Sequence, residues 1–129
     1  MSHAIHPNYP GKHQEKHKVG MHLGVTLKYN FNQRYSTDSV SASILRAIAE
    51  KAGVPIQEFA VNNDVGCGTT IGPVLSSNTG VKGADIGTPQ LSMHSIRETC
   101  GVLDFLYYDN LMTGFFEKYE ELQNGLMGH

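Results

Sequence analysis

Three consecutive segments between residues 25 and 62 decide the fold: VTLKYNF (25–31), STDSVSASILRAIAEKAG (36–53) and EFAVN (58–62). The first alternates apolar with polar, β-branched and aromatic residues, which predicts a half-buried strand. The second predicts a helix that is capped by Ser36, Thr37 or Asp38 and ended by Gly53. Its predicted inner face comprises Val40, Ile44, Leu45, Ile48, Ala49 and Ala52. The third segment predicts another short strand, so the order is strand, helix, strand.

The same alternation continues downstream of this unit. A glycine-rich turn leads into a predicted helix near Ile71 to Ser77, and Val81 to Ile86 is predicted to form a third strand. Residues 92–98 are predicted to open another helix, and the segment from Leu103 to Leu122 continues helically. Its inner stripe is predicted to comprise Leu106, Leu111, Phe115, Tyr119 and Leu122. Strands that alternate with helices predict an α/β fold with a largely parallel sheet covered on both faces.

Length and composition exclude several classes of protein. The 129 residues suffice for one compact domain, and the 10 basic against 12 acidic residues argue against a nucleic-acid partner. No apolar run approaches the roughly 20 residues that cross a bilayer, and the start of the chain lacks the pattern of a signal peptide. Only two cysteines, Cys67 and Cys100, are present, which favours reduced thiols in a cytosolic protein. The chain is therefore expected to be cytoplasmic, with no membrane partner.

Histidine is unevenly distributed. Five of the seven histidines lie within the first 22 residues, beside Pro7 and Pro10. This composition predicts an irregular, His-rich arm over residues 1–24, followed by an α/β portion over residues 25–129. The four-residue spacing of His13 and His17 also permits a metal site in the arm, with a solvated loop as the alternative.

Three further features suggest chemistry without deciding it. The turn at residues 66–70 permits a phosphate cradle or a tight strand-to-helix connection, and Cys67 within it is a candidate nucleophile without an identified base. His94 follows a strand and a Pro-bearing loop, where a histidine serves either as a metal ligand or as a hydrogen-bonded structural residue. Lys28 lies in the middle of a strand, either as an edge lysine or as a buried cation that faces an acidic group.

Several long motifs, in order along the chain, resemble the carboxyl-terminal part of the aspartyl aminopeptidases. They are His3-Ala4-Ile5-His6-Pro7-Asn8-Tyr9, Lys12-His13 with His17, Asn32-Gln33-Arg34-Tyr35, Asn63-Asp64 with Cys67-Gly68-Thr69-Thr70-Ile71-Gly72-Pro73, and Pro89-Gln90-Leu91-Ser92-Met93-His94-Ser95-Ile96-Arg97-Glu98. This resemblance extends from residue 3 to about Glu121. It implies part of a three-layer α/β/α sandwich, incomplete relative to the family's catalytic domain.

The resemblance also implies a function. Members of the family are cytosolic, oligomeric metallo-aminopeptidases that remove amino-terminal Asp or Glu from peptides with two zinc-type ions. By this resemblance His94 is a metal ligand, Lys28 holds the acidic side chain of the substrate, and His3, Gly68 and Thr69 line the substrate site.

Departures from the family pattern limit what this chain is expected to do. An aspartate ligand precedes the family's equivalent of His3, but here the chain begins Met1-Ser2-His3-Ala4. The other histidine ligand, the bridging aspartate, the base glutamate and its neighbouring ligand lie farther upstream in the family. The chain alone is therefore expected to lack peptidase activity and to act within a homo-oligomer or with a complementary chain. The alternative is a non-catalytic interaction or oligomerisation module.

Overall fold

The computed structural model describes residues 2–5, 8, 19–29, 37–60 and 71–126. Its elements follow the order β1 (Ser2–His3), β2 (Val25–Tyr29), α1 (Ser39–Ala52), β3 (Ile56–Ala60), α2 (Ile71–Thr79), β4 (Ile86–Gly87), β5 (Pro89–Leu91), β6 (Thr99–Cys100) and α3 (Val102–Leu126). The predicted α/β class is confirmed. Within the described part of the chain, no helix is long and apolar enough to cross a membrane.

The strands form two small sheets of mixed direction. In the first sheet, β5 pairs in parallel with β1 and antiparallel with β6. In the second, β2 lies between parallel β3, over the full register from Val25↔Ile56 to Tyr29↔Ala60, and antiparallel β4. In the described part of the chain, two three-stranded sheets, each with one parallel and one antiparallel pairing, thus take the place of the single, largely parallel sheet that the sequence predicts.

Helix α1 follows the prediction closely because its signals are local. Asp38 is the N-cap, its carboxylate accepts a hydrogen bond from Ser41 N–H, and Gly53 closes the helix in the left-handed conformation at φ 69°. The buried side chains are those of Ala42, Ile44, Leu45, Ile48 and Ala49. Val40 and Ala52, both predicted to face inward, are exposed.

The core lies between the second sheet, α1 and α3. Val25 and Leu27 of β2 pack against α1 together with the fully buried Leu111 of α3. The two helices approach closely at Gly114, where a Cβ atom would lie 3.1 Å from Ala52 Cβ. Phe115, Tyr119 and Leu122 are partly buried against this core as predicted, whereas Leu106 is 54% exposed, contrary to the prediction.

Two further predictions of secondary structure are wrong. The third strand was expected from Val81 to Ile86, but β4 covers only Ile86–Gly87, and the preceding residues contribute one isolated bridge, Thr37↔Gly83. Residues 92–98 form turns and bends rather than a helix, because β5 and β6 pair antiparallel on either side of them and make a hairpin.

The described residues of the opening arm include a short strand and a buried side chain. Ser2–His3 forms strand β1, Ile5 N–H donates to the carbonyl of Val19, and the Val19 side chain is fully buried. The division between an arm at 1–24 and a domain at 25–129 stays a prediction.

Candidate functional site

A partly buried polar network holds residues 19–24 against the second sheet. The Gln57 amide accepts from Gly20 N–H at 2.8 Å and donates to the carbonyls of Gly20 at 2.8 Å and Gly24 at 3.0 Å. Asp104, fully buried in the first turn of α3, accepts from His22 N–H at 2.7 Å and Gly24 N–H at 3.0 Å. Because the carbonyl of Val19 in turn accepts from Ile5, this network positions the segment that follows His3.

His3 lies in β1 of the first sheet, and His94 lies in the loop that follows the neighbouring strand β5. His3 pairs with Gln90 in the parallel register of β1 and β5, and Ala4 N–H donates to the carbonyl of Gln90 at 2.7 Å. The carboxyl ends of parallel strands meet at one edge of a sheet, where α/β proteins place their ligand sites. His3 therefore lies near the edge from which the chain continues to His94. Both histidines are exposed.

His94 lies in the hairpin loop between β5 and β6, in an unusual backbone conformation. Ser95 N–H donates to the carbonyl of Ser92 at 3.0 Å, which closes a four-residue turn with His94 as its third residue. The φ angle of His94 is 72° and that of Ser92 is 58°, both in the left-handed region that favours glycine. Such conformations in larger residues cluster at functional sites, where surrounding contacts maintain them.

The contacts that maintain this turn come from Glu98. Its Oε1 accepts from His94 N–H at 2.6 Å, and its Oε2 accepts from Gln90 Nε2 at 3.2 Å. Gln90 is 1% exposed, so the carboxylate connects an exposed turn with a buried side chain. The sequence does not mark Gln90 or Glu98 as a site residue, because it predicts a helix over residues 92–98 in place of the hairpin.

Lys28 lies in the other sheet, on its central strand. The alternation along a strand separates two faces: Leu27 and its partner Glu58 face α1, where Glu58 forms an ion pair with Arg46. Lys28 and its partner Phe59 therefore lie on the face away from α1. Lys28 is half-buried, and its backbone N–H donates to the carbonyl of Asp85 at 2.9 Å.

The glycine-rich turn with Cys67, Gly68 and Thr69 lies outside the described residues, as do His13 and His17. Among the residues that the structure does describe, no three histidine, cysteine, aspartate or glutamate side chains are grouped so that they could hold a metal ion. These residues do not by themselves fit a zinc site, and a metal role for His94 needs ligands from elsewhere.

Comparison with known proteins gives one consistent family. The model of the family described as "Aminopeptidase I zinc metalloprotease (M18)" matches residues 1–116. A probable aspartyl aminopeptidase of Ricinus communis is 49% identical over 124 residues, covering 96% of this chain and 25% of that protein. The aspartyl aminopeptidase of Dictyostelium discoideum is 48% identical over 122 residues, covering 95% and 25%.

Solved structures agree with these relatives. A chain in the cryo-EM structure of the Ape4 and Nbr1 complex superposes with a TM-score of 0.93 at 44% identity, over 97% of this chain and 24% of that one. The Saccharomyces cerevisiae mApe1 dodecamer gives a TM-score of 0.86 at 31% identity, over 98% and 27%. The chain thus spans about a quarter of the length of the proteins that it matches.

Proposed function

The chain belongs to the aminopeptidase I zinc metalloprotease family, M18, and from this premise we propose that it forms the carboxyl-terminal part of an aspartyl aminopeptidase catalytic domain. The observation that carries the proposal is the sequence match over residues 1–116, joined to a TM-score of 0.93 with a solved chain. The proposed substrates are peptides with an amino-terminal Asp or Glu, and the proposed metal is zinc.

The proposal assigns roles to exposed or half-buried polar residues. Lys28 would bind the substrate's acidic side chain, because an ammonium group forms charge-assisted hydrogen bonds with a carboxylate. His94 would donate one metal ligand from the hairpin loop, which is supported by its exposed position and its maintained backbone geometry. His3 would lie beside the substrate with Gly68 and Thr69.

The isolated chain is proposed to be inactive. A metal pair needs several ligands, and the described residues contain no group of three. We expect no turnover when the purified chain is mixed with zinc and an aspartyl chromogenic substrate. If the purified chain turns over the substrate and His94→Ala abolishes this activity, the chain holds enough metal ligands by itself and the proposal of inactivity is wrong.

A chimera tests the family function directly. Residues 1–129 would replace the matching quarter of the Dictyostelium discoideum relative, which supplies the remaining ligands. We expect the chimera to hydrolyse the aspartyl substrate. Lys28→Met should lower its preference for Asp over a neutral residue by about 10- to 100-fold, the value of one charge-assisted hydrogen bond. The control is Lys51→Met, which removes a surface lysine that contacts Glu121 at 3.3 Å. An unchanged preference in Lys28→Met would contradict the proposed role.

The second candidate function is an interaction or oligomerisation module. Helix α2 has no buried residue, and its apolar side chains Ile71, Val74 and Leu75 are exposed. On α3, Phe116 is 79% exposed. An apolar cavity of about 340 Å³ also opens between α1 and α3. Exposed apolar surface of this kind is typical of contact sites between proteins.

Association, measured together with activity, separates the two candidates. The module would bind a second copy or a complementary chain, and Phe116→Glu should then lower the association measured by sedimentation. Thr113→Glu is the control for charge on α3. Association with a full-length relative without activity would favour the module, whereas an active chimera favours the enzyme.

The proposed setting is the cytosol. Cys100 is a free thiol, in keeping with the reduced cysteines predicted from the sequence. The charge balance continues to argue against a nucleic-acid partner.

A further inference from the structure

The His94 turn combines a backbone conformation that histidine rarely adopts with a single carboxylate that contacts it. Four residues, Ser92 to Ser95, close the turn, and both Ser92 and His94 have positive φ. The Ser95-to-Ser92 hydrogen bond closes the turn but does not bond His94 itself. The His94 N–H instead donates to Glu98 Oε1 at 2.6 Å, a short contact to a charged acceptor.

The second oxygen of Glu98 gives this contact a fixed reference point. Gln90 Nε2 donates to Glu98 Oε2, and Gln90 is held in β5 by its pairings with His3 on one side and Cys100 on the other. Since Gln90 is buried, its amide has little freedom to follow a moving loop. The carboxylate therefore transmits the position of the sheet to the backbone of His94.

We infer that Glu98 is a positioning residue that fixes the backbone of His94 through the buried amide of Gln90. The contact geometry is independent of what His94 binds, whereas its functional value rests on the proposed function. The geometry explains how the exposed His94 keeps its left-handed backbone conformation. It also assigns a role to Gln90, a polar residue that is buried beside the hairpin loop.

Amide hydrogen exchange of the purified chain, read residue by residue by NMR, tests the inference. Glu98→Ala should accelerate exchange of the His94 N–H by about tenfold or more, because the bond to a charged acceptor is lost. Glu98→Gln keeps one acceptor for two donors and should give an intermediate rate. Amides of α1 should exchange at the wild-type rate in both variants, and Glu120→Gln on α3 is the matched control.

A second measurement separates positioning from a general loss of structure. His94→Gly removes the need for an external contact, so Glu98→Ala in that background should change the loop's chemical shifts much less than in the wild type. Equal changes in both backgrounds would overturn the inference. An unchanged His94 exchange rate in Glu98→Ala would also overturn it.

The chimera distinguishes this inference from the proposed function. If His94→Ala leaves the chimera's zinc content and activity unchanged, the proposed metal role of His94 fails, while the exchange result still decides the role of Glu98. If Glu98→Ala leaves His94 exchange unchanged but His94→Ala removes zinc, the positioning inference fails and the proposed function stands. With both correct, Glu98→Ala lowers zinc retention and Glu98→Gln lowers it less.

Discussion

Replacing His94 by glycine should make the chain more stable than replacing it by alanine. Both variants lack the imidazole, so their difference isolates the backbone conformation at φ 72°. An L-residue in the left-handed region costs roughly 1–2 kcal/mol, and glycine avoids this cost. Glycine also has greater conformational entropy in the unfolded chain, which offsets about 0.5–1 kcal/mol. We therefore expect the free energy of unfolding of His94→Gly to be about 1 kcal/mol higher than that of His94→Ala.

Urea and thermal unfolding of the two variants measure this difference. For a domain of this size, 1 kcal/mol corresponds to a shift of roughly 4 °C in Tm. The control pair is Ser95→Gly and Ser95→Ala, at an exposed neighbour that is not among the non-glycine residues with positive φ. There the order should reverse, with alanine the more stable. If glycine is no better than alanine at position 94, the turn is not strained and the reasoning fails.

Four other substitutions test the framework of the fold. Gly24→Ala should lower the free energy of unfolding in urea by about 3 kcal/mol, since φ is 121° and a Cβ would overlap the Pro55 carbonyl. Gly53→Ala, at φ 69° in open space, should lower it by only about 1 kcal/mol. Asp104→Asn should lower the free energy of unfolding by about 2 kcal/mol, because the amide offers one acceptor oxygen to two backbone N–H groups. A smaller loss than that of Gly53→Ala would contradict this prediction. Asp38→Ala should cost about 1 kcal/mol at pH 7. Hydrogen bonding from the Ser41 backbone lowers the pKa of Asp38, so this difference is full above the ordinary aspartate pKa and disappears as pH falls through the lower folded-state value. A difference that grows in acid would refute it.

Local signals account for the elements that the sequence predicts well. Helix α1 carries its cap at Asp38, its apolar stripe and its stop at Gly53 within 16 residues, so no distant contact is needed to define it. The prediction of a helix over residues 92–98 is wrong because distant contacts, rather than local signals, define this segment. Pairing of β5 with β6 and the positive φ values at Ser92 and His94 are set by tertiary contacts, which a short apolar spacing does not reveal.

The site divides in the same way. Their positions in the chain mark His94 and Lys28 as candidates, and the family resemblance gives them roles that stay predictions. The Gln90–Glu98–His94 connection depends on hairpin register, which the expected helix did not contain. In the sequence, Asp104 is likewise an ordinary polar residue of a predicted helix. In the structure it accepts hydrogen bonds from the backbone N–H groups of His22 and Gly24, some 80 residues away in sequence. Residue type alone does not distinguish such an aspartate from its solvated neighbours.

The run from Ile86 to Leu91 connects the two sheets with only the buried Thr88 between β4 and β5. One end of this run is registered against the strand of Lys28, and the other leads into the turn of His94. An extended chain advances about 3.3 Å per residue and reverses its faces at each step. A single inserted or deleted residue here would therefore shift the histidine relative to the lysine and turn β5 over. We expect natural variation in chain length among homologous proteins to avoid these six positions and to accumulate in the loops on either side.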